Sequence, residues 1–314
     1  MTDQVTRWIG QHAHPLTTLD PAAPPTDLLP LADLVGDAAV VALGASTRQS
    51  HELSALAHRI VRLLVEERGF RSLALEGDDA TRVGLDAYVS TGAGDPRALL
   101  AGARSFWRTA EILDLVHWMR AFNLRHPDDP VRFAGSTVTG PVPALDGTAG
   151  IEWTLAAAAI QWHERTGDKV VYWGGLAHTA AGTPTSPTGH RNAGGYLRER
   201  FGTGYASLGL TFHHGTLPAT VPHPPAQYAE AVLGSAGPDA YLLDLRTDAP
   251  PAVRTWLTAP TSTRMIGPGY DPTEDTDHHI TGGALTDWFD AVLHVRTVTP
   301  TGPLSPDGPA GPTA

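Results

Sequence analysis

Along this chain, short apolar runs alternate with longer stretches in which apolar residues recur every three or four positions. That alternation predicts strands interleaved with helices. Positions 38–79 show it most clearly. Ala38 to Leu43 reads as a buried strand, and Leu53, Leu56, Ile60, Leu63 and Leu64 mark one face of a helix from about His51 to Arg68. Gly69 stops that helix, and Phe70 to Glu76 reads as a second strand. Further on, the pattern predicts helices over about 80–90 and through Glu111, Leu113, Val116, Met119 and Phe122. A strand follows at Val131–Gly135, then an alanine-rich helix at Ile151–Arg165 and a strand at Lys169–Trp173. A helix at about Ala193–Phe201 and strands at Tyr205–Phe212, Tyr241–Leu245 and Ala291–Thr297 complete the series. Apolar strands separated by helices imply an α/β fold with a mostly parallel central sheet covered on both faces. Residues 1–37, with Trp8, Ile9 and a proline-rich connector, read as a peripheral segment. Residues 38–304 read as one α/β domain, and 305–314 as a flexible tail. The Pro- and Gly-containing stretch Ser136–Gly150 reads as a loop placed to cover a site, and Gly182–Arg191 as a second loop.

Composition narrows the function classes. The 314 residues are 41% hydrophobic and 18% charged, as in ordinary globular proteins, and a net charge of −11 disfavours a nucleic-acid partner. With no cysteine, a thiolate metal site and a cysteine nucleophile are both excluded. The N-terminus lacks the apolar core of a signal peptide and no run of about 18 apolar residues occurs, so the expectation is a cytoplasmic protein without a membrane partner. The expected partner is a small-molecule substrate, and oligomeric state is left open.

Ligands of open α/β sheets bind beyond the carboxyl ends of the strands. Ser46 to Glu52, Glu76 to Asp79, Ser136 to Thr139, Gly174 to His178, and His213-His214 are the stretches that follow strand ends and share that rim. A buried glutamate facing a histidine there is raw material for general acid/base catalysis. Each residue also has a structural alternative. His178 serves equally as a capping or core histidine, His213 and His214 as loop residues, and Glu76 as a helix cap or arginine partner; Arg108 and Glu111 form a structural ion pair on this reading. No nucleophile elbow, phosphate loop, dinucleotide fingerprint or His-Glu-x-x-His motif occurs, so no cofactor is expected. His278-His279 beside Asp275 and Asp277 point different ways, so no metal is expected either.

Several separated segments, from near Val40 to about Leu304, resemble the erythromycin esterase family in order. Gly44 with His51-Glu52 resembles the family's Gly-Glu-x-x-His-Gly-x-x-Glu opening, and LVEERGFRSLALEGD its next strand. FWRTAEILDL (106–115) resembles a Trp-Arg-Asn-x-Glu segment, and Val170 to His178 a Val-x-Trp-Ala-His-Asn-x-His strand. Segments at Gly194–Gly202, Tyr241–Arg246 and Arg264–Tyr270 follow in the same order. The resemblance implies hydrolysis of macrolide lactones by a water activated through histidine, and a helical lid that is reduced here. It carries over Glu76, Arg108, Glu111 and His178. It also marks departures: the opening glutamate is Ala45 and the general-base histidine is Arg48. A further basic position falls near Ala57, and Gly175 and Leu176 stand for His and Asn. Arginine, with a pKa above about 12, is no general base at neutral pH.

The leading expectation is therefore a diverged enzyme that acts on a bulky polyketide-like natural product by non-hydrolytic acid/base chemistry such as cyclisation, dehydration, elimination or isomerisation. Glu76 and His178 are its expected proton-transfer pair, Arg48 the oxyanion partner, and His213 a further catalytic candidate. Small residues at 45, 57 and 175 are expected to enlarge the pocket. Ser46, His51, Glu52, Asp78, Trp107, Arg108, Glu111 and His214 are expected to contact substrate. Ester or lactone hydrolysis using His178 or His213 as substitute base, and a non-catalytic binding or resistance protein, stand as alternatives.

Overall fold

Val40–Ala45 is buried at every position, as a strand covered on both faces must be. The computed structural model describes residues 2–77, 79–135, 137–139, 145, 147–182, 191–267 and 269–304. Its strands are β1 His14–Pro15, β2 Val40–Ala45, β3 Phe70–Leu75, β4 Arg132–Phe133, β5 Lys169–Gly175, β6 Tyr205–Thr216, β7 Thr220–Val221, β8 Ala240–Asp244, β9 Thr261–Arg264, β10 His279–Gly283 and β11 Ala291–Val298. The main sheet runs β1-β8-β11-β6-β2-β5-β3-β4, with β7 folded back on β6, while β9 and β10 make a separate hairpin. β11, β6, β2, β5, β3 and β4 are parallel, whereas β8 and β1 close one edge antiparallel.

Alternate side chains of each strand serve opposite layers. Val41, Leu43, Val171 and Trp173 pack with the helices Leu29–Val35, His51–Arg68 and Ala110–Arg125. Val40, Ala42, Val170 and Tyr172 face the helices Gly147–Thr166 and Ala193–Phe201. Beyond them, Tyr241, Leu243 and Val292 are covered by the N-terminal helix Thr2–His12, through Val5, Trp8 and Ile9, and by Pro251–Thr258. The N-terminal segment thus contributes to the core, and Pro15 pairs with Tyr241 on the sheet. The helix His51–Arg68 begins where the hydroxyl of Ser50 accepts from the Leu53 N–H at 3.1 Å. It ends at Gly69, whose φ of +69° favours glycine.

The α/β class and each interior strand agree with the sequence pattern. The expected helix over 80–90 is broken into Asp79–Arg82 and Leu85–Thr91 at Gly84, which sits at φ +87°. The alanine-rich helix starts earlier than expected, at Gly147. β1, β7 and the β9–β10 hairpin had no sequence signal: they are short and polar, so no apolar run marks them. No helix among the described residues is long and apolar enough to cross a membrane. The expected tail at 305–314, residues 183–190 of the expected loop Gly182–Arg191, and residues 136, 140–144 and 146 of the expected loop Ser136–Gly150 lie outside the described residues.

Candidate active site

Three adjacent strands, β2, β5 and β3, place Arg48, Gly175 to His178, and Glu76 side by side at the carboxyl edge of the sheet. Because β5 lies in the middle, the loops after β2 and β3 meet over its end. Arg48 Nη1 reaches Glu76 Oε2 at 2.5 Å, and the same oxygen accepts the Gly175 N–H at 2.7 Å. A Cβ at Gly175 would lie 3.5 Å from that carboxylate oxygen and 3.9 Å from Arg48 Nη2. A Cβ there would make ordinary contact with the ion pair, and a longer side chain would extend into it. Phe106 stacks on the Arg48 guanidinium at 3.9 Å, with Trp107 at 5.4 Å, so the cation lies in an aromatic slot.

His178, on the short helix Leu176–Thr179 that follows β5, lies between two carboxylates. Its Nδ1 is 2.7 Å from Glu152 Oε1, and its Nε2 faces Glu76 Oε1 across 3.8 Å, beyond direct hydrogen-bonding range. Glu152, 2% exposed, is itself held by the Ala193 N–H at 2.8 Å. The Glu152 carboxyl group at Nδ1 fixes the orientation of the ring and leaves Nε2 without a direct hydrogen bond. Burial pushes the His178 imidazole down, but the Glu152 hydrogen bond and the charges of Glu76 and Glu152 outweigh it, and the net shift is upward despite Arg48. For Glu76 burial pushes up. Arg48, His178 and the Gly175 N–H overcome it and hold the carboxyl below its ordinary value. Glu76 therefore stays ionised near neutrality.

The other expected site residues divide into groups. Ser46 is buried with its hydroxyl unpartnered, and its carbonyl accepts from the Ile266 N–H at 2.7 Å. Trp107 is buried against Trp173, ring centroids 5.6 Å apart, beneath Arg48. His51, Glu52 and Glu111 hold the chain's last described segment: Glu52 accepts from the Thr299 N–H at 2.7 Å, and Glu111 from the Gly302 N–H at 2.9 Å and His51 at 2.7 Å. Arg108 is exposed and Glu111 turns inward, so the expected Arg108–Glu111 ion pair does not form; the backbone bends outward at Arg108 after the turn Ser105–Trp107. His213 and His214 touch each other and His223, and no described contact joins them to Glu76 or His178. Burial, followed by the neighbouring charges, pushes His213 down to about 4. Asp78 lies outside the described residues, while Asp79 pairs with Arg104 and Arg82.

The expected enlargement at positions 45, 57 and 175 is corrected. Ala45 and Ala57 are buried in the core, and the Arg48–Glu76 pair lies within contact distance over Gly175, so none of the three opens a pocket. A cavity of about 340 Å³ instead opens between β3, β5 and the Gly147–Thr166 helix, lined by Ala74, Gly77, Gly135, Leu155, Ala159 and Tyr172 among others. It begins one residue from Glu76. Sequence reasoning missed Glu152, although a lone carboxylate in line with Ala156 and Ala159 on an alanine-rich helix is a readable signal. It also missed Tyr172, whose hydroxyl is buried without a partner and whose pKa burial, Glu76 and Glu152 raise well above the ordinary value.

The erythromycin esterase family model matches residues 65–146 and 153–298, which include Glu76 and His178, while Glu152 falls between the two matched stretches. The chain belongs to the erythromycin esterase family. Solved structures share this family fold. A succinoglycan biosynthesis protein matches at 21% identity with a TM-score of 0.83 over 96% of this chain and 98% of its own. A Bacillus cereus protein matches at 22% identity with a TM-score of 0.78 over the same shares, 96% and 98%. An erythromycin esterase, solved as a variant in its open conformation, matches at 13% identity with a TM-score of 0.66, covering 91% of this chain and 98% of its own.

Proposed function

We propose that this member of the erythromycin esterase family is an enzyme of small-molecule metabolism. His178 transfers a proton through Nε2, Glu152 orients and charges the ring, and the Arg48–Glu76 pair supplies a fixed electrostatic wall. The observation that carries this reading is the commitment of Nδ1 to Glu152 at 2.7 Å, which leaves Nε2 without a direct hydrogen bond, 3.8 Å from Glu76 Oε1. A histidine with a raised pKa is suited to donate a proton as well as to take one. The residue at the position of the resembled general base is Arg48, which is locked onto Glu76 and cannot accept a proton. That combination favours non-hydrolytic steps such as cyclisation, dehydration, elimination or isomerisation. The apolar lining of the cavity, at the lower end of the size range for ligand sites, suits a compact apolar substrate or one end of a bulky polyketide-like one.

A second reading, hydrolysis of a macrolide-type ester, draws on the same His178–Glu152 pair, since the neutral imidazole is able to take a proton from water. The two separate by mass. Purified protein incubated with polyketide lactones and with their open-chain hydroxy acids should give products isomeric with the substrate or lighter by one water. Ring-opened products heavier by one water would overturn the non-hydrolytic reading. Binding without turnover that survives His178→Asn unchanged would overturn the enzyme reading altogether.

A further inference from the structure

His213, His214 and His223 meet at the end of β6, two strands from β5. His213 and His214 are half-buried and follow the strand's buried part, which ends at Phe212, and the β6–β7 hairpin, with Gly215 opposite Val221 and Thr216 opposite Thr220, returns the chain so that His223 comes back over them. One ring nitrogen from each of the three lies within 4.8 Å of the others. His213 Nδ1 and His214 Nδ1 are 2.9 Å apart, and the rings of His214 and His223 stack at 4.3 Å. Among the described residues, no carboxylate accepts from any of these rings. The place is shaped for them: the His213 ring occupies the position that a side chain at Gly234 would need, so only glycine permits this approach. The two nearby cations have their own counter-charges, since Arg264 pairs with Asp275 at 2.7 Å and Arg296 with Asp239 at 2.8 Å.

We propose that His213, His214 and His223 bind one divalent transition-metal ion of the zinc class, separate from the His178 centre. Three imidazoles without carboxylates select Zn²⁺, Co²⁺, Ni²⁺ or Cu²⁺ over Mg²⁺ or Ca²⁺, which need oxygen ligands. Around a tetrahedral zinc with bonds of about 2.0–2.1 Å, ligand nitrogens stand roughly 3.3 Å apart. Small ring rotations convert the present spacing, from 2.9 Å to within 4.8 Å, into that arrangement. His223 is exposed, so the ion enters from solvent and keeps a fourth position for water. It ties the return of the hairpin to β6. The expectation that no metal binds considered His278-His279, and the set formed here draws on His223, which only the hairpin brings to His213 and His214.

The experiment uses full-length protein without a histidine tag, and Zn²⁺ and Co²⁺ as probes. Wild type and His14→Ala, an exposed histidine outside the cluster, should retain about one equivalent of zinc after dialysis. Both should also show a rise in Tm with added Zn²⁺ and give the visible spectrum of tetrahedral Co²⁺. His214→Ala and His223→Ala should each bind zinc at least about tenfold more weakly and lose the Tm response, with unchanged melting in chelator showing that the fold is intact. His223→Ala sits at an exposed position and is the decisive variant. Wild-type affinity in His223→Ala, or no zinc retained by wild type, overturns the proposal.

Discussion

Nδ1 of His178 is committed to Glu152, so the effect of removing that carboxylate is legible in the titration of the ring. Glu152→Gln keeps the shape but removes the charge that raises the His178 pKa and weakens the hydrogen bond, since one amide oxygen cannot serve both the His178 ring and the Ala193 N–H. NMR titration should find the imidazole shifted downward in the variant, and turnover reduced by about 10²-fold or more, in line with the usual worth of a general acid/base group. An unshifted titration would mean that Glu152 does not set the charge of the ring. The linkage has a definite sign. A histidine raised in the folded state contributes stability that is fully present below about 6.5 and is lost as pH rises through its folded value, so the variant should flatten stability on that side of neutrality. The Arg48–Glu76 pair predicts a different asymmetry. Its side chains are 16% and 8% exposed, so Glu76→Ala strands a largely covered guanidinium and should cost about 3 kcal/mol in urea unfolding, while Arg48→Met with Glu76→Ala should recover much of it. Equal losses in the single and double variants would sink that account. Arg48, Glu76 and His178 were legible in sequence because each follows a strand end. Glu152 was marked only by its alignment with Ala156 and Ala159 on a covering helix, and packing decides which helical residues face the sheet edge.

At the scale of elements, the last described segment acts as a clasp across the start of two helices. Ser50 bridges Pro300 and Thr109 bridges Pro303, while Glu52 takes Thr299 and Glu111 takes Gly302. Glu111→Ala leaves the Gly302 N–H and His51 without their acceptor and should lower stability by about 1–3 kcal/mol. Ending the chain after Val298 should cost at least as much, because it removes every one of these contacts and uncovers the helix start next to Arg48. Differential scanning calorimetry of both variants checks this, and melting unchanged by the truncation would show that the clasp holds nothing. Glu52 and Glu111 read as substrate contacts in the sequence because the resemblance placed them near the site. The structure brings the C-terminal segment to them instead, a pairing across 247 residues for Glu52 and Thr299 that local pattern does not encode. Interior strands were legible for the opposite reason: burial on both faces forces a continuous apolar run, as in β2.

For the whole molecule, helices alternating with apolar strands announced a covered parallel sheet, and the order β6-β2-β5-β3 that makes three loops converge became visible only in three dimensions. The same assembly buries a carboxyl with no role in the site. Glu230, on the helix Ala229–Leu233, is 0% exposed; one oxygen accepts the Arg264 N–H at 3.0 Å and the other has no partner. Burial pushes its pKa from 4.5 up to about 7, against the opposing hydrogen bonds and the Arg264 charge and with help from Asp275. A carboxyl raised in the folded state binds its proton more tightly there than in the unfolded chain. Stability is therefore fully present below about 4.5, falls as pH climbs toward about 7, and stays reduced above it. Glu230→Gln removes the titration while keeping an acceptor for the Arg264 N–H. The variant should match wild type near pH 4 and exceed it by about 3 kcal/mol at pH 8, the equivalent of the shift at about 1.4 kcal/mol per unit. The paired carboxylates, Glu76 among them, weaken the fold toward acid, but they are common to both proteins and cancel in the difference. Urea unfolding of both at pH 4, 6 and 8 measures it, and a difference that does not grow across that interval would place the Glu230 charge outside the energetics of folding.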